Sequence, residues 1–421
     1  MPAVYNISIF FYKLGIRIAA LFGNEKAGQW IEGRRNVFSK LSELSTSNHR
    51  LIWFHCSSLG EFEQGRPVME KLKIRNAECR IILTFFSPSG YEVRKNYAGA
   101  DFVCYLPMDN RKNAKRFAEL LQPHAAYFVK YEYWHYYFHA LKEKNIPLYM
   151  VSAIFRDDQV FFRWYGKFFR NMLKCVTHFF VQDNSSLKKI NSLGFNNATV
   201  AGDTRFDRVV EISNDAKEFP LLEKFSAGKK VIIAGSTWPN DERILFNLKP
   251  QTSFGRHRLA EGDANLKLII APHDISESRI KEVENLFAGN KIIRYSQANE
   301  QDISDKSVLI IDSIGMLASL YRYGWVTYVG GGFDKGIHNI LEAAVYGKPV
   351  FFGPRYQKAG EAIALIEKGG AFAIADANQM VNVLEKFSGD ETDYSNSCEA
   401  SRRFVYGSTG ATEKILKKTS G

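Results

Sequence analysis

Two carboxylates and one glycine-rich block supply the residue types of a group-transfer site. Glu61 lies in HCSSLGEFEQG, three residues after Ser58 and one after Gly60, where an apolar run gives way to a helical pattern. The Ser58/Glu61 spacing is that of a capping box, in which both side chains serve the helix start. A carboxylate just beyond the carboxyl end of a strand is also placed to take a proton from a ligand. The pattern alone leaves both readings open. Glu132, in FVKYEYWHYYF, is a second carboxylate past a strand end, beside Lys130 and aromatic rings. It has the chemistry either to contact an acceptor or to pair with Lys130, and the pattern does not decide.

The block YVGGGFDKGIHNILEAAVYGKPVFFGP spans residues 328–354. An apolar strand runs into Gly330, Gly331 and Gly332, a short loop passes Gly336 and His338, and a helix is expected to open at Asn339 with Glu342 one turn in. Glycines permit close backbone approach, and a helix amino end offers N–H groups and partial positive charge to a phosphate. The block has neither a GK[ST] ending nor a dinucleotide GxGxxG fingerprint. Asn339 and Glu342 could form a mere cap, but the combination is more specific than capping requires, and the block reads as a ligand site. Two further strand ends carry polar groups suited to a nucleotide: Ser236 and Thr237 in IIAGSTWPNDE, and Pro272 and His273 in LIIAPHD. Capping by Thr237 or Asp274 is the alternative at each.

The elements that position these residues follow a repeated rhythm. Apolar runs at 51–56, 80–86, 101–106, 125–130, 146–153 and 177–182 alternate with helical stretches, and a second series runs through 229–235, 266–272, 291–296, 307–312, 325–331 and 348–353. Such runs mark parallel strands covered on both faces. The expected fold is α/β: two Rossmann-like, doubly wound domains facing a cleft, preceded by an amphipathic helix. The domains are expected at 46–205 and 206–421 after an N-terminal segment 1–45, with the last helix a candidate to pack back on the first domain. The polar stretch 200–220 reads as the linker, and 255–265 as a surface loop.

At 421 residues the chain is too long for one ordinary core. Cys56, Cys79, Cys104, Cys175 and Cys398 form no CxxC pair or metal spacing and read as small buried hydrophobes of a reducing compartment. The net charge of +11 implies an anionic partner. No nucleic-acid signature accompanies it, which leaves an acidic membrane or a phosphorylated substrate ahead of nucleic acid. Residues 4–22 are long enough to cross a bilayer, but Asn6, Lys13 and Arg17 share one helical face. That favours a helix lying in the membrane interface, with a helix packed on the domain as the alternative. A second basic and aromatic stripe, Arg163, Lys167, Arg170 and Lys174, is expected on one helix over 161–175; a solvated face is its ordinary reading, membrane contact the rarer one.

The ordered motifs HCSSLGE, YEYW, GSTWPNDE, DSIGMLASLYRYGWVTYVGGG and GIHNILEAAVYGKPVFFGP resemble the 3-deoxy-D-manno-octulosonic acid (Kdo) transferases of lipopolysaccharide synthesis, glycosyltransferase family 30, over nearly the whole chain. The resemblance implies a GT-B fold and inverting transfer of Kdo from CMP-Kdo to the lipid A precursor (lipid IVA), with no cofactor and no tightly held metal, at the cytoplasmic face of the inner membrane. It implies Glu61 as general base and Ser58, Gly60 and Glu132 on the acceptor side. It also implies Ser236, Thr237, Pro272, His273, Gly331, Gly332, Gly336, His338, Asn339 and Glu342 on the donor side, with Glu342 on the ribose. The chain departs from the family pattern at Trp238, where a histidine is usual, at Pro272–His273, which lacks the usual arginine although Arg279 is near, and at Arg205, where a lysine is usual. The alternatives are a GT-B transferase or epimerase using another nucleotide sugar, and a non-catalytic lipid-binding protein.

Overall fold

The computed structural model describes residues 2–44, 50–248 and 266–419, so the expected loop at 255–265 lies outside the described residues. The chain forms two compact units, Met1–Arg208 with Thr409–Gly421, and Val209–Ser408.

In the first unit, strands β1 (Leu51–Cys56), β2 (Arg80–Phe85), β3 (Phe102–Tyr105), β4 (Ala125–Val129), β5 (Leu148–Ala153), β6 (His178–Val181) and β7 (Ala198–Val200) form one parallel sheet in the order β3-β2-β1-β4-β5-β6-β7. The strands are nearly all buried because helices cover both faces. Trp53, fully buried between Phe117 and Phe128, marks the core on one face. The helices that matter for the site are α1 (Pro2–Leu21), α2 (Leu59–Arg75), α3 (Arg111–Leu121), α4 (His135–Glu143), α5 (Lys167–Leu173) and α6 (Thr204–Asn214). The sheet reverses direction of growth between β1 and β4, the topological switch point where open α/β sheets bind ligands.

In the second unit, β8 (Lys230–Thr237), β9 (Leu266–Pro272), β10 (Ile292–Arg294), β11 (Val308–Ile310), β12 (Val326–Val329), β13 (Val350–Phe352) and β14 (Ala371–Ala373) lie in the order β10-β11-β9-β8-β12-β13-β14. Its switch point falls between β8 and β12. Helix α7 (Pro239–Asn247) follows β8, and the single turn α8 (Leu341–Ala344) follows the glycine block. The last helix, α9 (Ala411–Thr419), belongs to the first unit, where Ile415 and Leu416 enter the core and Asp207 accepts from the N–H groups of Gly410 and Thr412.

Three expectations need correction. The stretch 200–220 does contain the division between the units, after Arg208, but it is helical and not open, because α6 occupies 204–214 and Val209 is buried. Residues 161–175 are not one helix. A single 3-10 turn at Val160–Phe162 precedes α5, and the Arg170 guanidinium is tied to the carbonyls of Phe161 and Arg163, so the four cations share no stripe. The helix expected to open at Asn339 begins at Leu341 and makes one turn. The cysteines match expectation: all are free, four buried and Cys398 half-buried.

Candidate active site

In the first unit the two carboxylates flank the switch point. Glu61 stands at the third position of α2, after β1, and its Oε2 accepts from the Ser57 N–H at 2.5 Å. Ser58 is the cap residue, yet its side chain makes no capping bond, and Glu61 accepts from the N–H one residue before the cap. A Cβ at Gly60 would meet nothing within 4 Å, which leaves open space over the first turn of the helix. Burial, then the nearby Glu132 charge, pushes the Glu61 carboxyl up to about 8, against the opposing pull of the Ser57 N–H and Lys130. A carboxylate with that affinity for protons is matched to base chemistry near neutral pH.

Glu132 follows β4, where Lys130 adopts φ +65°, a left-handed conformation costly for a residue with a Cβ. The pair with Lys130 that the pattern allowed is not where its Oε2 goes. That oxygen lies 3.1 Å from His55 Nε2 and accepts from Trp134 Nε1 at 2.8 Å. His55 is fully buried in β1, and its protons can be placed by elimination. Thr84 Oγ1 has one hydrogen, which goes to the Phe54 carbonyl at 3.2 Å, so it accepts from Trp53 Nε1 at 2.8 Å and from His55 Nδ1 at 2.9 Å. Nδ1 therefore carries the proton, and Nε2 accepts from Trp134 Nε1 at 3.0 Å, so that one indole N–H bridges the imidazole and the Glu132 carboxylate. His55, Glu132 and Trp134 thus form one hydrogen-bonded cluster near Glu61.

Sequence reasoning missed His55 and Trp134. The signal for His55 was a lone ionisable residue in an otherwise apolar strand. The partner, 77 positions away, comes from a neighbouring strand.

In the second unit, the loops after β8, β9 and β12 converge. Trp238 and His273 stack at 4.8 Å, His273 and His338 at 4.7 Å, and Trp238 Nε1 donates to His338 Nε2 at 3.2 Å. Neutral His338 therefore carries its proton on Nδ1. Burial, then His273, lowers its pKa, which keeps the ring neutral. Asp241, also unforeseen, is the hub: it accepts from the N–H groups of Gly331 (2.8 Å) and Trp238 (2.9 Å) and from the Tyr328 hydroxyl (2.8 Å).

The glycines serve the protein's own backbone first. A Cβ on Gly330 would stand 2.3 Å from the Ser236 carbonyl oxygen, and one on Gly332 would stand 2.5 Å from the Gly353 nitrogen. Gly331 and Gly336 have φ +92° and +124°. Ser236 is itself left-handed at φ +53°. Thr237 is buried, and its hydroxyl donates to Glu242, whose other partner is Arg279. Arg279 is thus held in an internal ion pair. Pro272 ends β9, and Asp274 accepts from the Ser276 N–H rather than capping the next helix as its first residue. Asn339 accepts from Leu341 N–H and donates to Glu342 Oε1 at 3.1 Å. In the first unit, Arg205 pairs with Asp203 at 2.8 Å.

Two doubly wound parallel sheets with polar groups gathered at both switch points are the architecture of the GT-B fold. Residues 31–208 match the family model described as 3-Deoxy-D-manno-octulosonic-acid transferase (kdotransferase). The chain is 28% identical over 337 residues to the 3-deoxy-D-manno-octulosonic acid transferase of Aquifex aeolicus, covering 79% of this chain and 84% of that one. It is 25% identical over 420 residues to a bifunctional glycosyltransferase/methyltransferase of Fusobacterium nucleatum, covering 96% of this chain but only 62% of that protein's length. Among solved structures, UDP-GlcNAc 2-epimerase from Neisseria meningitidis shares the fold at a TM-score of 0.59, with 15% identity, 87% of this chain and 98% of that one covered. The chain is a relative of the Kdo transferases over most of its length, as the motifs led one to expect.

Proposed function

We propose that this protein transfers Kdo from CMP-Kdo to a hydroxyl of the lipid A precursor, with inversion, and that Glu61 is the general base. The observation that carries the reading is the environment of Glu61: a buried carboxylate raised to about 8, fixed by the Ser57 N–H, with open space above Gly60. In this mechanism Glu61 takes the proton of the acceptor hydroxyl as its oxygen bonds to the anomeric carbon of Kdo. The bond from that carbon to the phosphate oxygen breaks on the opposite face, and CMP leaves.

The donor side is assigned to Ser236, Thr237, Pro272, His273, Gly331, Gly332, Gly336, His338, Asn339 and Glu342. Within that set the open Nδ1–H of His338 suits an anionic oxygen, and the Glu342 carboxylate suits ribose hydroxyls. Ser58, Gly60 and Glu132 are assigned to the acceptor side. Membrane association is assigned to α1, which is long and apolar enough to cross a membrane. It lies along its unit instead: Tyr5 donates to Asp109 at 2.5 Å, Asn6 accepts from Tyr136, and Tyr12 packs on Trp30 and Phe86. Val4, Ile7, Phe11, Leu14, Ile18 and Leu21 form the opposite, exposed stripe, which favours a helix lying in the interface of the inner membrane's cytoplasmic face.

The test is release of CMP and formation of a Kdo-bearing lipid by the wild-type chain supplied with CMP-Kdo and the tetra-acylated precursor, against Glu61→Gln. Transfer by the wild type and none by the folded variant supports the reading. Equal activity removes Glu61 from catalysis, and a preference for a UDP or GDP sugar over CMP-Kdo removes the donor assignment.

A further inference from the structure

Tyr5 and Tyr12 stand seven residues apart on α1, two turns of helix, and both meet the body of the unit: Tyr5 at Asp109, Tyr12 at an aromatic seat. The Tyr12 ring lies 6.1 Å from Trp30 and 5.8 Å from Phe86, and Trp30 and Phe86 meet edge to face at 5.9 Å. The Arg34 guanidinium holds this seat, 3.7 Å over Trp30 and 4.8 Å over Phe86, and donates to the Phe86 carbonyl at 2.8 Å. Phe86 in turn packs on the indole of Trp134 at 4.7 Å. That indole carries the N–H shared by His55 Nε2 and Glu132 Oε2. Ring by ring, the contacts lead from α1 to the carboxylate whose charge raises Glu61, all within the first unit. The field of Glu132 also reaches the Tyr12 hydroxyl directly, with Arg34 acting in the opposite sense.

An aromatic seat of this kind does two things for a carboxylate. It fixes the donor: with Phe86 held by Tyr12 and Arg34, the indole of Trp134 has little room to turn its N–H away from Glu132. It also excludes water, and where water is excluded the charge on Glu132 is felt more strongly at Glu61. The other titratable or charged groups facing the two carboxylates are Lys130, Tyr131 and Tyr133 after β4, His55 and Cys56 of β1, and Arg34 behind Phe86; none of them lies on α1. We propose that Tyr12 is a positioning residue for the transfer reaction, acting through Phe86 and Trp134 on Glu132, so that α1 is part of the active site as well as a membrane contact. The inference rests on the reading of Glu61 as the general base.

The experiment measures kcat/KM against pH for Kdo transfer from CMP-Kdo to the tetra-acylated precursor in detergent micelles, where attachment to a bilayer limits nothing. The full chain is compared with Tyr12→Ala, Tyr12→Phe, and Tyr12→Ala combined with Glu132→Gln. The bonds of Tyr5 to Asp109 and of Tyr136 to Asn6 keep α1 in place when the Tyr12 ring is gone. Tyr12→Ala lets water reach Trp134 and Glu132, so the charge felt by Glu61 is screened. Its inflection is expected to fall by about half a pH unit or more, and its high-pH plateau by about three- to tenfold. Tyr12→Phe keeps the ring and should restore both, and in the Glu132→Gln background Tyr12→Ala should move the inflection no further. A wild-type profile in Tyr12→Ala overturns the inference and leaves α1 a membrane contact only. It is equally overturned by a lower plateau with an unmoved inflection, the mark of a merely destabilised chain, by a shift undiminished in the Glu132→Gln background, or by a Tyr12→Phe as impaired as Tyr12→Ala. No transfer by the wild type, or full activity in Glu61→Gln, overturns the functional reading itself and this inference with it.

Discussion

The switch points of the two units solve opposite problems. In the first, Glu61 is buried beside a second carboxylate with a raised proton affinity, and Lys130 is twisted into a left-handed turn next to it. In the second, polar groups satisfy one another: Asp241 accepts three hydrogen bonds, Thr237 serves Glu242, and the rings of Trp238, His273 and His338 stack. The first is arranged for a proton to move, the second for a shape to stay. The difference teaches where each unit should break: the first in rate and pH dependence, the second in affinity and stability.

Glu61→Gln should test this division most severely. The amide keeps an oxygen for the Ser57 N–H, so the fold is expected to persist while Kdo transfer falls by about a hundred- to ten-thousand-fold. The same variant should be more heat-stable than the wild type at pH 8. A carboxyl raised to about 8 in the folded chain and near 4.5 when unfolded costs stability increasingly as pH rises between those values, and the amide lacks that cost. Scanning calorimetry at pH 5 and pH 8 checks it; a gain equal at both pH values would refute the cause.

Next in size is the pH profile. With Glu61 as the proposed base, transfer needs it ionised, so kcat/KM should rise with pH through an inflection near 8. Glu132→Gln removes the neighbouring negative charge, and the inflection should move to lower pH. An unmoved inflection would separate the two carboxylates.

The second unit should respond to Gly332→Ala by a loss of about 1–3 kcal/mol, read as a lower unfolding midpoint, because the added methyl meets the backbone of Gly353. The smallest effect expected is that of Trp238→Phe. It keeps a ring on His273 but removes the indole N–H that fixes the tautomer of His338. A hydrogen bond worth about 0.5–1.5 kcal/mol predicts a two- to tenfold rise in KM for the donor with kcat little changed. A fall in kcat alone would place Trp238 on the side of the chemistry.

Much of the scaffold was legible because parallel strands covered on both faces read as unbroken apolar runs. β7 and β14 escaped because each is three residues long, partly exposed at a sheet edge and built largely on small residues, whereas β10, equally short and at an edge, carries Ile292 and Ile293. The amphipathic α6 was hidden in a polar stretch whose ends look like loop. At the sites, residue type and strand-end position disclosed Glu61, Glu132, His273 and the glycines. What stayed hidden was pairing at a distance: His55 with Glu132 through adjacent strands, and Trp238 with His338 across 100 positions. Local sequence also suggested that the glycines exist for a ligand, whereas their first neighbours are the chain's own backbone.

The first unit is discontinuous in sequence, and α9 closes it. Leu416 and Ile415 lie in its core, and Glu413 bridges Lys71 and Arg75 on α2. During synthesis, then, the segment that seals the first unit leaves the ribosome only after the whole of the second has been made. The contiguous second unit can mature as it emerges, whereas the first must wait with part of its apolar face open, reversing the usual order in which amino-terminal domains fold first. A chain stopped at residue 408 would therefore present a finished second unit and an unsealed first one to the cell's chaperones and proteases.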